Sequence, residues 1–343
     1  MNEFENGPLP EPAEGMPREL TARQTFSRTG WSYLTILGVA TAVQLLLAKL
    51  ALAYAPQLLD SSWATYALSF VPIYLAGLPL GWLILRRLPA GSPEDHSLTL
   101  GHFMLLLFMC FPIMYIGNLI GLGVNSGIAS ARSSIYENPV YDLLQGSNIW
   151  ANLLFVVTLA PVMEEFMFRK LLCDRVRGYG EGTAILVSGL VFGLFHGNLS
   201  QFFYAFGIGS LFAYVYLRTG RVWYTMILHG FVNFFGGVLP ELLLKNIDLD
   251  ALTRLSTKPP EQVLAYVQQH MSELLGLSIY VMTAFSLFIV GLVFLLSRRK
   301  QAVLLPAQKQ LPKTGRFQTV FLNAGMLCYF AGTVCIMAFV SLN

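Results

Sequence analysis

Residues 149–172 read IWANLLFVVTLAPVMEEFMFRKLL. This stretch is long and apolar enough to cross a bilayer, because about 20 apolar residues form a helix that spans a hydrocarbon core of roughly 30 Å. It nevertheless contains two adjacent acids, Glu164 and Glu165, followed by Arg169. An ionisable side chain within a membrane costs about 2.5 to 3.5 kcal/mol on insertion scales, so such residues mark function by default. The stretch therefore predicts a transmembrane helix that carries chemically active groups.

The rest of the chain has the same apolar character. Of its 343 residues, 55% are hydrophobic and 12% are charged, and the mean hydropathy is +0.58. Soluble domains carry about 25% charged residues. This composition fits poorly with a soluble enzyme, a disordered chain or a nucleic-acid-binding protein. It predicts an all-α, polytopic transmembrane helical bundle embedded in a lipid bilayer.

Eight to nine spans are predicted from runs of about 20 apolar residues. The nine candidate runs are 31–54, 63–85, 102–124, 149–172, 183–199, 201–217, 222–239, 275–296 and 320–342. They divide the chain into a flexible cytoplasmic tail (1–30), N-terminal transmembrane helices (31–124), core helices (149–239), an extramembrane amphipathic loop (240–274) and C-terminal transmembrane helices (275–343).

The basic residues indicate how the bundle is oriented. Most of the 22 Lys and Arg residues fall on one side of the predicted membrane, in the tail, at 86–87, at 169–177, at 218–221 and at 298–316. Cytoplasmic loops carry an excess of Lys and Arg. The N-terminus is therefore predicted to be cytoplasmic and the C-terminus to lie on the opposite side.

The long segment on that opposite side contains an amphipathic stretch. Pro259 and Pro260 precede EQVLAYVQQHMSELL. Four of its apolar residues fall on one helical stripe, namely Val263, Val267, Met271 and Leu274. Two interpretations stay open, namely an interfacial or cavity-covering helix and a short helix that packs on the bundle.

Nearly all ionisable groups inside predicted spans lie between residues 164 and 233. Besides the two acids, they are His196 and His229. Glu165 and Arg169 are separated by four residues in the order that favours an ion pair, which would neutralise Glu165 and leave Glu164 facing elsewhere. His229 and Asn233 have the same spacing and share a helix face. Three helices thus offer a carboxylate, an imidazole, and an imidazole with an amide.

These groups suffice for water attack on a peptide bond. A carboxylate in a site of low dielectric constant is a competent general base for water, and an imidazole and an amide can donate to the oxyanion that develops on the carbonyl. Three alternatives stay open. Glu164, His196 and His229 could instead hold Zn²⁺, although the HExxH pattern is missing. They could relay protons in a transporter, or form a pocket that binds other membrane proteins without cleaving them.

At these residues the sequence resembles the CAAX protease and bacteriocin-processing family of glutamic intramembrane endopeptidases, also called Abi proteins. The family's EExxxR motif matches residues 164–169, its FxxxH motif matches 192–196, and its HxxxN motif matches 229–233. Each motif alone is weak, but three in order on consecutive apolar segments form a strong signal. The resemblance covers roughly residues 149–239.

The resemblance implies a role for each matching residue. Glu164 would activate water with help from His196, and His229 with Asn233 would form the oxyanion hole. Glu165 and Arg169 would be supporting residues. The implied mechanism needs no metal and no cofactor. It also implies a membrane-embedded or lipidated peptide or protein as substrate, no nucleic-acid partner, and a bacterial plasma membrane as the location.

One geometric difficulty accompanies this prediction. Measured from the inner ends of the predicted spans, Glu164 lies about 12 Å deep and His196 about 20 Å deep, at 1.5 Å per residue. The two side chains can meet only if the helices tilt or if the fifth span begins outside the hydrocarbon.

Overall fold

The computed structural model describes residues 20–133, 143–144, 146–312 and 314–342, and these residues form helices and connecting segments without a β-strand. The helices, numbered in chain order, are α1 (Ala22–Tyr54), α2 (Ser62–Leu85), α3 (Leu100–Ala131), α4 (Ile149–Tyr179), α5 (Glu181–Phe195), α6 (Leu199–Thr219), α7 (Val222–Leu244), α8 (Leu249–Arg254), α9 (Pro260–Gln269), α10 (Met271–Gln301), α11 (Arg316–Val320) and α12 (Ala324–Leu342). The predicted all-α polytopic membrane bundle is confirmed.

Seven helices of the described chain are long and apolar enough to cross a membrane, namely α1, α2, α3, α4, α7, α10 and α12. The fifth and sixth predicted spans form α5 and α6, which are not among these seven helices. At 1.5 Å per residue, α5 is about 22 Å long and falls short of a hydrocarbon core of roughly 30 Å. α6 packs along α3 and α5 inside the bundle.

The predicted flexible tail ends earlier than residue 30. Residues 1–19 lie outside the described residues, but α1 already begins at Ala22. Thr21 and Gln24 form a capping box that satisfies backbone N–H groups at this helix start. Phe26 and Thr29 are fully buried. The polar composition of residues 20–30 therefore belongs to a capped, packed helix start.

α4 continues well past its predicted inner end at Leu172. Its last turns look like a loop in the sequence because they are polar, yet their polar groups are paired within the protein. Lys170 Nζ lies 2.8 Å from a carboxylate oxygen of Asp174. Arg175 is buried and donates to two backbone carbonyls at 2.8 and 2.7 Å. Satisfied polar groups allow the helix to run on to Tyr179.

A tight turn at Gly180 joins α4 to α5. Gly180 has φ +101°, a backbone conformation that side-chain-bearing residues rarely adopt. Glu164 and His196 each lie 16 residues from this glycine, on opposite arms of the hairpin. Both groups are therefore about 24 Å from the turn along their helices. The predicted difference in depth between Glu164 and His196 arose because the sequence placed the inner end of α4 at Leu172, whereas the helix runs on to Tyr179.

The segment 240–274 is more helical than a loop. α7 extends to Leu244, α9 covers Pro260–Gln269, and α10 begins at Met271. The predicted stripe is therefore split, because Val263 and Val267 lie on α9 while Met271 opens the next helix. α9 contains no buried residue, so it does not contribute to the core.

Candidate active site

The six candidate residues come from three places in the bundle. Glu164, Glu165 and Arg169 lie in the middle of α4, His196 lies at the C-terminal end of α5, and His229 with Asn233 lies on α7. These elements contact one another directly or through α6. The fold therefore brings the three motifs to one region.

Glu165 and Arg169 form a fully buried ion pair. Both side chains are 0% exposed, and two Arg169 nitrogens donate to the two oxygens of Glu165 at 2.8 and 3.1 Å. A third nitrogen donates to Ser188 Oγ at 2.7 Å, and the guanidinium lies 4.9 Å from the centre of the Phe192 ring. The expected ion pair is present. Arg169 is thus an interior residue and does not belong to the cytoplasmic basic residues with which the sequence grouped it.

The His229 ring lies between the two acids. Its Nδ1 is 3.0 Å from Glu165 Oε1, and its Nε2 is 3.8 Å from Glu164 Oε2. A carboxylate bound to Arg169 only accepts hydrogen bonds, so Nδ1 carries a proton. Glu165 thereby fixes both the ring orientation and the direction in which Nε2 points, which is towards Glu164.

The two neighbouring acids have different surroundings. Glu164 keeps 20% of its side chain exposed, whereas Glu165 has none exposed. Within the described residues, Glu164 has no hydrogen bond and no ion pair closer than the 3.8 Å approach of His229. Glu164 also interacts electrostatically with His196. Glu164 is therefore the accessible carboxylate of the pair, and Glu165 is the neutralised one.

His196 lies in a turn rather than inside a span. It caps the end of α5, directly before Gly197, whose φ is +65°. Its Nδ1 lies 2.9 Å from the carbonyl oxygen of Phe192. Because a carbonyl only accepts, Nδ1 carries the proton and the lone pair of a neutral His196 is on Nε2.

Asn233 bridges α7 to α4. Its Nδ2 donates to the carbonyl oxygen of Val156 at 2.8 Å. In this stretch of α4 the helix is widened, and the N–H of Ala160 bonds five residues back, to Phe155. In the same register Val156 would receive its bond from Pro161, which has no N–H. The Asn233 amide supplies the missing donor with one of its two hydrogens and retains the other.

The neighbouring carbonyl, that of Val157, is affected by the same proline. It would pair with Pro161 in a regular α-helix. Gly230 of α7 packs against it, since a Cβ at that glycine would lie 2.9 Å from the Val157 oxygen. The absence of a side chain at Gly230 lets α7 approach α4 at the level of His229.

Comparisons with known proteins cover this region. Residues 146–235 match the profile of the family described as type II CAAX prenyl endopeptidase Rce1-like. We refer to residues 146–235 as the Rce1-like segment, after the family whose profile they match. All six candidate residues lie within it, as does the whole contact set of His229 described above.

Two curated bacterial proteins are also similar to the chain. The "Putative membrane peptidase YdiL" of Bacillus subtilis is 28% identical over 110 residues, which is 30% of this chain and 42% of that protein. The "Membrane-embedded CAAX protease MroQ" of Staphylococcus aureus is 32% identical over 102 residues, which is 26% of this chain and 41% of that protein. The chain thus spans about two fifths of the length of these relatives. No solved structure matches it.

Within the Rce1-like segment, the sequence did not single out Ser188. This residue is 0% exposed, accepts from Arg169 and donates to the carbonyl oxygen of Phe168 at 2.9 Å. A serine in the apolar run 183–199 was the available signal, but a serine hydroxyl in a membrane helix more often bonds to its own backbone. Only the position of α5 relative to α4 shows that Ser188 holds the guanidinium.

The Rce1-like segment also bears on the zinc alternative. Among the residues that the structure describes, no three His, Cys, Asp or Glu side chains are grouped so that they could hold a metal ion. Glu165 is not free to bind a metal ion, because Arg169 donates to both of its carboxylate oxygens.

Proposed function

We propose that the chain is an intramembrane endopeptidase that hydrolyses peptide bonds of membrane-associated or lipidated substrates with a water activated by Glu164. The observation that carries this proposal is the His229 ring, which is bonded through Nδ1 to the neutralised Glu165 and faces the accessible Glu164 with Nε2. With Glu165 neutralised by Arg169, Glu164 is the carboxylate of the pair that is available to act as a base on a water molecule. The match of residues 146–235 to the Rce1-like family supports the same reaction class.

Glu164 and His196 are suited to holding the attacking water. A carboxylate and the Nε2 lone pair of a neutral imidazole are both acceptors, and a water molecule has two O–H groups to donate. The water oxygen attacks the scissile carbonyl carbon while one of its protons passes to Glu164. The C–N bond then breaks, and the proton on Glu164 passes to the leaving nitrogen. Glu164 thus acts first as base and then as acid.

His229 and Asn233 are the expected donors to the oxyanion. When His229 is protonated, its Nε2–H points towards Glu164 and the adjoining space. Glu164, Glu165, Arg169 and a protonated His229 together carry no net charge, which suits a site of low dielectric constant. Asn233 has one amide hydrogen left after its bond to Val156. Its main contribution in the resting protein is to hold α7 against α4.

The substrate class follows from the surroundings of the site. α4 and α7, which carry Glu164 and His229, are apolar and long enough to cross a membrane, so a substrate reaches Glu164 from lipid or from the membrane surface. A membrane-embedded or lipidated peptide satisfies this condition. A bacterial plasma membrane is the proposed location, because both curated relatives come from bacteria.

The deciding experiment compares wild type with Glu164→Gln in membranes. Each full-length protein is produced in a strain that lacks it, and new peptide termini are mapped across the membrane proteome. We expect a defined set of termini with wild type and none with Glu164→Gln, since an amide cannot take a proton from water. The exposed Glu261 of α9 supplies a matched control, and Glu261→Gln should retain every terminus.

Other outcomes identify the alternatives. Identical termini with wild type and Glu164→Gln would contradict glutamate catalysis. Complementation of the deletion by Glu164→Gln would favour a binding protein that does not cleave. Proton flux into wild-type vesicles, without any new termini, would favour a proton-coupled transporter.

A further inference from the structure

A chain of side-chain hydrogen bonds begins at the turn that carries His196. Asn198 is the N-cap of α6, and its Oδ1 accepts from the backbone N–H of Gln201 at 2.9 Å. Its Nδ2 donates to the carbonyl oxygen of His196 at 2.9 Å and to Gln201 Oε1 at 2.7 Å. Gln201 Nε2 then donates to the hydroxyl oxygen of Tyr204 at 3.0 Å.

The direction of these bonds follows from the backbone groups at the start of the chain. A backbone N–H needs an acceptor and a carbonyl needs a donor, so Asn198 must present Oδ1 to the first and Nδ2 to the second. Gln201 must then turn Oε1 towards Asn198, which leaves its Nε2 towards Tyr204. An amide nitrogen has no lone pair, so the Tyr204 oxygen can only accept there. The proton of the Tyr204 hydroxyl is therefore available to another acceptor.

Tyr204 is placed beside the candidate site. Its backbone is in close contact with α3, where a Cβ at Gly117 would lie 2.4 Å from the Tyr204 Cα. Its side chain is partly buried against the large core cluster of which Phe192 is one member. The hydrogen bonds through Gln201 and Asn198 connect it to the turn that carries His196. Tyr204 interacts electrostatically with Glu164. Within the described residues its hydroxyl proton has no hydrogen-bond acceptor.

We infer that Tyr204 donates its hydroxyl proton in a hydrogen bond to the oxyanion formed at the scissile carbonyl, and that Gln201 positions the hydroxyl for this contact. This inference rests on the proposed endopeptidase function. No proton is transferred in the step, because the O–H bond of Tyr204 stays intact while the carbonyl oxygen becomes negative. The donor supplements Asn233, one of whose hydrogens is already bound by Val156.

The same turn thus serves two groups of the reaction. Asn198 holds the carbonyl of His196, and through Gln201 it sets the hydrogen-bonding state of Tyr204. Tyr204 is a transition-state donor, whereas Asn198 and Gln201 act through other residues and are positioning residues. The polar side chains at the start of α6 thereby gain a role in stabilising the transition state, which the aromatic residues around them do not indicate from the sequence.

The test uses the full-length protein in phospholipid vesicles and a fluorescence-quenched peptide that spans a cleavage site found in the membrane proteome. We expect Tyr204→Phe to lower kcat about 10²-fold, as removal of one oxyanion donor does, with KM unchanged. Tyr214 lies on the same helix outside the bond chain, so Tyr214→Phe is the matched control with an unchanged kcat. Tyr74 also interacts electrostatically with Glu164, but nothing in the described chain orients its hydroxyl, and Tyr74→Phe should change kcat little.

Gln201→Glu tests the direction of the bond chain. The carboxylate keeps the bond from Asn198 but offers an acceptor to Tyr204, so the hydroxyl proton is consumed. We expect kcat to fall in the wild-type background and to change little further in the Tyr204→Phe background. Melting temperatures in detergent should stay the same for all these variants.

Each result decides between the two proposals. Full activity of Tyr204→Phe while Glu164→Gln is inactive would overturn the role of Tyr204 and leave the proposed function standing. Equal losses from Gln201→Glu in both backgrounds would overturn the positioning role of Gln201. Absence of cleavage by wild type would overturn the proposed function and this inference with it.

Discussion

Arg169→Met is expected to destabilise the protein strongly, and the buried contacts set the size of the effect. The substitution removes two hydrogen bonds to Glu165 and one to Ser188. It leaves the Glu165 carboxylate charged and 0% exposed. Breaking a buried ion pair by removing one partner costs about 3 to 5 kcal/mol, because the remaining charge loses its compensation. We expect a loss of that size in the free energy of unfolding.

The double variant Glu165→Leu with Arg169→Met separates stability from activity. Replacing both partners by apolar residues of similar volume is often neutral or stabilising. We therefore expect the double variant to recover to within about 1 kcal/mol of wild type. Its cleavage rate should remain about 10²-fold below wild type, because His229 Nδ1 has lost the acceptor that orients the ring.

The assay is SDS titration of the full-length protein in mixed micelles, run beside peptide cleavage in vesicles. Glu273 serves as the control, because Glu273→Gln removes a surface charge while its amide oxygen can still accept from Ser272, and both readings should stay unchanged. A loss below about 1 kcal/mol for Arg169→Met, or a double variant as unstable as the single one, would refute the reasoning. Full activity of the double variant would show that Glu165 does not position His229.

Two further predictions concern Asn233 and metal ions. Asn233→Leu should destabilise the protein by about 1 to 3 kcal/mol, because it leaves the Val156 carbonyl without a donor. The loss should shrink when Pro161→Ala restores a backbone N–H. An equal loss in both backgrounds, measured by SDS titration, would contradict this account. Treatment of the vesicles with 1,10-phenanthroline should leave the cleavage rate unchanged under glutamate catalysis, and a loss of activity that Zn²⁺ restores would instead support the zinc alternative.

The local pairings could be predicted from the sequence because helix geometry dictates them. The four-residue spacing of Glu165 and Arg169 predicted an ion pair, and the structure contains it. The same geometry predicted that Glu164 would face elsewhere, and its side chain is the accessible one. What spacing along one helix cannot show is a partner from another helix. The bonds from His229 to Glu165 and from Asn233 to Val156 join residues 64 and 77 positions apart.

The span boundaries were harder to predict for a different physical reason. Hydropathy treats Lys170 and Arg175 as signs of a helix end, although both are paired within the protein. A paired polar group no longer needs water, so the helix continues beyond the apolar run. The depth of Glu164 depended on this boundary. Likewise, the apolar runs of α5 and α6 do not show how the two helices pack, and only the structure shows them packed against each other, with α6 also along α3.

Pro161 has a consequence for how the protein is made. α4 leaves the ribosome long before Asn233, which follows Val156 by 77 residues. Until α7 arrives, the Val156 carbonyl lacks its donor, and an unsatisfied backbone group facing lipid tails costs several kcal/mol. The nascent α4 is therefore favoured to stay in a hydrated or chaperoned setting until α7 is synthesised. Complete insertion of α4 into the bilayer thus depends on α7.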